Sequence, residues 1–258
     1  MRCAKIVNCG ERVLGDPFTT EEGGRGLDFG RAFTYLSDDK EWINKVLIGS
    51  AISLVPILNL AAAGYFLEVI QRVAQQKEIP LPEWNDLGNK WVKGLLFFII
   101  LLLYYLPSIV IGLLSIASVI LAAAQSGGRE EAVLAALFSM LVFILLAAIW
   151  MLLVILIVPA IAIQYALHGN FGAAFRLGNI YHLIRKDVGS YAIALVIVFI
   201  SGLLVGAIAA VPFIGTIIAL AVGFYVSLVR AHAYGQLAEV KEQESLGSDR
   251  QNPIYQKR

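Results

Sequence analysis

Residues 188–229 contain no Asp, Glu, Lys or Arg. One helix of that length would reach about 63 Å, roughly twice the ~30 Å hydrocarbon core of a bilayer. The run must therefore fold back on itself. Val211-Pro212-Phe213-Ile214-Gly215 is where it can, because proline interrupts the helix ladder and glycine permits a turn. Three more uncharged runs lie at 46–67, 94–128 and 132–167. The chain is 59% hydrophobic and 15% charged, with a mean hydropathy of +0.75. A globular chain carries about 25% charged residues. These figures exclude a disordered chain, a basic nucleic-acid binder and an ordinary soluble enzyme. The fold class they imply is all-α, a polytopic helical membrane protein.

The runs at 94–128 and 132–167 read as one helix each, joined by the polar turn Gln125–Glu131 into an antiparallel hairpin. The first run is ambiguous. It carries Pro56 in Val55-Pro56-Ile57-Leu58-Asn59, and split there it yields short helices over about 42–54 and 57–72. Cytoplasmic loops carry the excess of Lys and Arg. If the first run crosses once, the 20 basic residues divide 8 against 12; if it enters and returns, they divide 19 against 1. The second split is the more lopsided. The expectation is about six hydrophobic helices, the first two forming a return hairpin, in the plasma membrane with both termini cytoplasmic.

A weak internal repeat fits this plan. Asp28-Phe29-Gly30-Arg31-Ala32-Phe33 resembles Asn170-Phe171-Gly172-Ala173-Ala174-Phe175, and Val55-Pro56-Ile57-Leu58 resembles Val211-Pro212-Phe213-Ile214. Gly64-Tyr65 and Arg72 then match Gly223-Phe224 and Arg230. The units run 27–76 and 169–237 around the central hairpin 94–167, within one membrane domain, 27–237. Residues 1–26, with Cys3 and Cys9 as free thiols, read as a flexible arm, and 238–258 as a charged cytoplasmic tail. Asp28 and Asn170 are good N-caps for amphipathic surface helices. Phe29, Phe33 and Leu36 share one face, as do Phe171, Ala174, Phe175 and Ile184. Trp84–Trp91 reads as a third such stretch. Trp42, Trp84 and Trp91 are candidate interfacial anchors.

Little chemistry is legible. No metalloprotease, nucleophile-elbow or phosphate-loop pattern occurs, so no catalytic residue, metal site or cofactor is expected. His168, Arg176, His182, Arg185 and Lys186 form a basic elbow, a candidate for binding lipid headgroups. The runs hold no ionisable group deep in the bilayer. Glu68 stands one turn before Arg72 and can pair with it. Asn59 and Gln164 are polar membrane positions expected to bond to neighbouring helices. The stripe Ser108, Gly112, Ser115 and the pair Gly202, Gly206 read as helix-packing faces.

The order Leu27-Asp28-Phe29-Gly30-Arg31-Ala32-Phe33, Trp42 and Lys45, Val55-Pro56-Ile57-Leu58, Gly64-Tyr65 with Glu68 and Arg72, then Pro80-Leu81-Pro82-Glu83-Trp84 resembles the domain-of-unknown-function 4013 family. The resemblance runs from about Leu27 to Gln236. It implies a prokaryotic multi-pass membrane protein and carries no catalytic residues. The expected function is a non-enzymatic scaffold or accessory subunit of a membrane complex. The alternative is a protein that handles lipid or a small solute, or a simple permease. Membrane lipids and a protein partner are the expected partners, and nucleic acid is not.

Overall fold

Proline sets the breaks in this chain, and the helices run between them. The computed structural model describes residues 29–77, 81–126 and 130–251. Among the described residues there are eight α-helices: α1 (Phe29–Thr34), α2 (Trp42–Ser53), α3 (Asn59–Ala74), α4 (Leu87–Ser126), α5 (Glu130–His168), α6 (Leu177–Lys186), α7 (Val188–Ala209) and α8 (Ile214–Gln251). A 3-10 turn, Tyr35–Asp38, follows α1, and another, Phe171–Phe175, precedes α6. The arm with Cys3 and Cys9, the cap Asp28, the side chains of Phe29 and Phe33, and Pro80 lie outside the described residues.

Among the described residues four helices are long and apolar enough to cross a membrane: Leu87–Ala124, Glu130–His168, Val188–Ala209 and Ile214–Ala238. Their large side chains face outward, as with Leu134, Phe138, Leu152 and Phe199. So extensive an apolar surface calls for hydrocarbon rather than water around it. Of the six hydrophobic helices expected, α2 and α3 do not qualify as spans. They hold 12 and 16 residues, about 18 and 24 Å of helix. Both proline turns fall where the sequence places them, at Pro56 and Pro212. Pro107 and Pro159 sit inside α4 and α5 without ending them. Neighbouring helices re-satisfy the carbonyl that such a proline frees.

α3 is the most enclosed helix. Nine of its residues are buried, from Ala61 to Ala74. It packs on α2, α4, α5 and α8. Two glycines permit its crossing with α4. A Cβ on Gly64 would strike the Lys90 carbonyl, and one on Gly94 would strike the Leu60 carbonyl. The two backbones therefore touch with no side chain between them. Gly49 lies against the Phe224 ring and Gly235 against the Val73 side chain, so glycines also let a side chain of the facing helix seat where α8 meets α2 and α3.

Aromatic hydroxyls and indoles then pin helix to helix. Tyr35 donates to the Leu228 carbonyl (2.9 Å), Tyr191 to Leu156 (2.7 Å), and Trp150 to Tyr104 (2.9 Å). Tyr165 donates to the Lys93 carbonyl (3.3 Å), which sets the end of α5 beside the start of α4. Each spare carbonyl lone pair so used satisfies a polar tip that its apolar surroundings would otherwise leave without a partner.

Two expected features take another form. Residues 170–184 are not one amphipathic helix but a 3-10 turn and α6, divided at Arg176. Asn170 does cap its turn, accepting from the Ala173 N–H (2.8 Å). The Trp84–Trp91 stretch is no surface helix of its own. It is a loop running into α4, which Asp86 caps by accepting from the Asn89 N–H (3.2 Å). The charged tail begins as helix, since α8 continues unbroken to Gln251.

Candidate functional site

Ionisable residues cannot lie in hydrocarbon cheaply, so the sequence gathers them at the ends of its apolar runs. Folding brings several such ends together. The start of α2, the end of α3, residues 81–86 and the start of α4 enclose a cleft of about 540 Å³. Its charged lining is Asp39, Glu41, Glu68, Glu83 and Asp86 against Lys45, Arg72 and Lys90.

Two ion pairs build the cleft. Lys45 Nζ lies 2.6 Å from Asp39 Oδ2, with both side chains buried, and it also donates to the Leu81 carbonyl (3.4 Å). The other Asp39 oxygen accepts from the Glu41 N–H (2.9 Å). Burial works against ionisation of Asp39, but the Lys45 ammonium and the Glu41 N–H outweigh it and hold the carboxyl below its ordinary range. Across the cleft Lys90 Nζ lies 3.0 Å from Glu68 Oε2. Glu68 thus pairs with Lys90 on α4, and not with Arg72 as its helical spacing suggested. The close α3–α4 crossing at Gly64 brings Lys90 within reach, and a buried ammonium competes for the carboxylate better than a half-exposed guanidinium does.

Aromatic residues strap residues 81–86 over this floor. The Tyr65 ring stacks on Trp84 at 4.3 Å, and its hydroxyl donates to the Pro82 carbonyl (2.9 Å). Trp84 Nε1 donates to the Lys45 carbonyl (3.0 Å). Burial, and then the Asp39 charge, push the Tyr65 phenol well above its ordinary pKa, so it stays a neutral donor. Once the internal pairs are subtracted, Glu41, Glu83 and Asp86 face one remaining cation, Arg72, among the described lining residues. Such a set suits a ligand that carries both an amine and an anion. Among the described residues no three His, Cys, Asp or Glu side chains converge as metal ligands would.

The family model described as a protein of unknown function, DUF4013, matches residues 48–214, more than half of the chain. The chain belongs to the DUF4013 family. No curated protein and no solved structure matches it. The family match is shorter than the resemblance running from Leu27 to Gln236. In this DUF4013 chain it takes in Glu68, Arg72, residues 81–86 and Lys90 of the cleft. It leaves out Asp39, Glu41 and Lys45.

The other candidate residues of the DUF4013 chain sit apart from the cleft. His168, Arg176, His182 and Arg185 are exposed, with Lys186 half-exposed. His182, Arg185 and Lys186 share one side of α6 by their spacing. Arg185 donates to the Tyr181 hydroxyl (3.0 Å) and lies over its ring. His168 Nδ1 bonds the Gln164 carbonyl (2.9 Å). Asn59 and Gln164 do not bond to neighbouring helices as expected. Asn59 is exposed at the start of α3, and its side chain makes no hydrogen bond among the described residues. Gln164 is fully buried, and neither atom of its carboxamide has a hydrogen-bond partner there. Trp91 Nε1 donates to the Ile57 carbonyl (2.8 Å), tying α4 to the Pro56 turn, and Trp42 is half-buried beside Tyr225. Ser115 is buried, but a Cβ on Gly112 or Gly206 would meet nothing, and on Gly202 only Arg230 at 3.8 Å. These glycines are therefore not packing faces within the chain.

Sequence reasoning missed Asp39 and Lys90 because neither sits in a motif. The available signal was position: each lies just outside an apolar stretch, where a charge can be buried only by pairing.

Proposed function

We propose that this is a non-enzymatic, plasma-membrane protein whose cleft binds a small zwitterion, an amine joined to a phosphate or carboxylate, either free or as a lipid headgroup. The observation that carries this reading is the cleft's charge set. Two cations are paired within the floor, and Arg72 is left opposite Glu41, Glu83 and Asp86. An ammonium fits against the three carboxylates and an anion against the guanidinium. Both termini lie in the cytoplasm, with the cleft on that side. The elbow His168, Arg176, His182, Arg185 and Lys186 rests against anionic headgroups there. The two proline hairpins are halves of a diverged repeat.

The test uses purified full-length protein, stripped of lipid and examined by native mass spectrometry. Phosphatidylethanolamine, phosphatidylglycerol and soluble phosphoethanolamine are added back in turn. Retention of either ethanolamine compound, lost in Arg72→Gln and in Glu83→Gln/Asp86→Asn, supports the reading. Retention of the soluble compound marks a solute site, and retention of the lipid alone marks a headgroup site. Equal retention of phosphatidylglycerol, or no effect of the variants, overturns it. Reporter fusions after Gln76 and after Glu242 check the topology, and an external signal at the first would sink the return hairpin.

A second reading, as the accessory subunit of a membrane complex, is favoured by the open glycine faces at Gly112 and Gly206. Small residues on a span allow another helix to approach closely.

A further inference from the structure

Arg230 lies just beyond the last uncharged run, yet it stands inside the candidate span Ile214–Ala238 of α8. Its side chain reaches across to α7. Nε donates to Ser201 Oγ (2.7 Å) and Nη2 to the Val198 carbonyl (3.2 Å). Ser201 Oγ itself donates to that carbonyl (3.0 Å). Val198 and Ser201 are the eleventh and fourteenth residues of the 22-residue helix α7, so the guanidinium is held at mid-depth of a span. The expectation that no ionisable group lies deep in the bilayer thus fails through the reach of one long side chain.

The guanidinium stays charged at any physiological pH. Its two acceptors are neutral, and no carboxylate pairs with it among the described residues. Intramembrane charges pair with one another or line water-filled paths. It is only half-buried, and the side left open is that of Gly202, where an added Cβ would come within 3.8 Å of Nη2 and meet nothing else. Gly206, one turn on, is exposed and has no neighbour.

We infer that the α7 face at Gly202 and Gly206 docks a transmembrane helix of another protein, one carrying an Asp or Glu at mid-depth that pairs with Arg230. The glycines let that helix come close, and the guanidinium supplies the opposite charge. A second copy of this chain cannot be the occupant. Within its four candidate spans the only carboxylates are Glu130 and Glu131, at the very start of α5. A lipid phosphate sits at the bilayer edge, too far from mid-depth. This inference stands apart from the cleft and survives if the cleft binds nothing.

The test reconstitutes the full-length protein in phosphatidylcholine vesicles with a labelled polyleucine transmembrane peptide bearing one central Asp, and measures association by energy transfer. The control peptide carries Leu there. The Asp peptide should associate about tenfold more tightly than the Leu peptide. Arg230→Gln should abolish that preference and Arg230→Lys should retain most of it. Gly206→Leu should weaken binding of the Asp peptide through bulk alone. That position has no neighbour to disturb, so the variant remains informative if Arg230→Gln misfolds. Equal association of the two peptides, or a preference that survives Arg230→Gln and Gly206→Leu, overturns the inference. So does a preference erased by modest phosphatidylglycerol, which would assign the site to a lipid anion.

Discussion

The two proline-broken hairpins begin from similar sequences and end in different solvents. In the first, α2 and α3 are short, and nine of the 16 residues of α3 are buried within the protein. In the second, α7 is long enough to span, and only four of its 22 residues are buried. Hydropathy cannot separate them, because the inside of a protein and the inside of a bilayer select the same side chains. Length and glycine placement can. α3 carries Gly64 against a facing backbone, whereas on α7 Gly206 has no neighbour and Gly202 only the end of the Arg230 side chain. Within the first hairpin α3 is core, and it frames a charged cleft. Within the second α7 is boundary, and beside it α8 presents one charge, Arg230.

The sharpest way to break this contrast is to fill the glycines. Gly64→Leu forces a side chain into the Lys90 carbonyl and should destabilise the protein by about 3 kcal/mol or unfold it. Gly206→Leu, in open space, should leave the melting temperature in detergent unchanged. Equal losses would mean that the hairpins are packed alike.

A smaller effect comes from the ion pairs, which among the described residues tie α2 to Asp39 and α3 to α4 and involve no residue of the second hairpin. Lys90→Met orphans Glu68 and should cost about 2 kcal/mol, below the full penalty for a buried charge because Glu68 keeps 21% of its side chain exposed. Adding Glu68→Leu should recover much of that loss in thermal unfolding.

Acid should then act on both hairpins by different routes. Asp39 is held down by Lys45 and the Glu41 N–H, and Asp187 by its bonds to Ser190 as the cap of α7. A depressed carboxyl contributes fully above its unfolded pKa, about 4, and loses that contribution as pH falls through the folded value. Melting temperature should therefore hold steady from neutrality to about pH 4 and drop below it. Asp39→Asn and Asp187→Asn should each flatten part of that drop. A protein with the same acid slope in both variants would remove these two groups as its cause.

The smallest expected change is at the second turn. Phe213 adopts φ 60° and is almost fully exposed. Phe213→Gly relieves left-handed strain and should stabilise by about 1 kcal/mol, less the entropy that glycine adds to the unfolded chain. The first turn has no such residue at Pro56, so Ile57→Gly should stabilise nothing.

Helix positions were legible in the sequence because each depends on a local property. Charge-free length marks the spans, proline marks the breaks at Pro56 and Pro212, and Asn170 marks its own cap. The cleft was legible only as scattered ends of runs. Glu68 has Arg72 one turn away, and nothing local says that Lys90, on another helix, takes its carboxylate. Arg230 reads as a flanking cation until α7 is laid beside it.

The sequence by itself determined a helical membrane protein and the places where its chain turns, since hydrophobic length, proline and caps act within a few residues. Tertiary structure alone decided which charges meet, which glycines are filled and which apolar helix is core. Each of those depends on how closely two backbones approach, and that distance belongs to pairs of helices and not to either sequence.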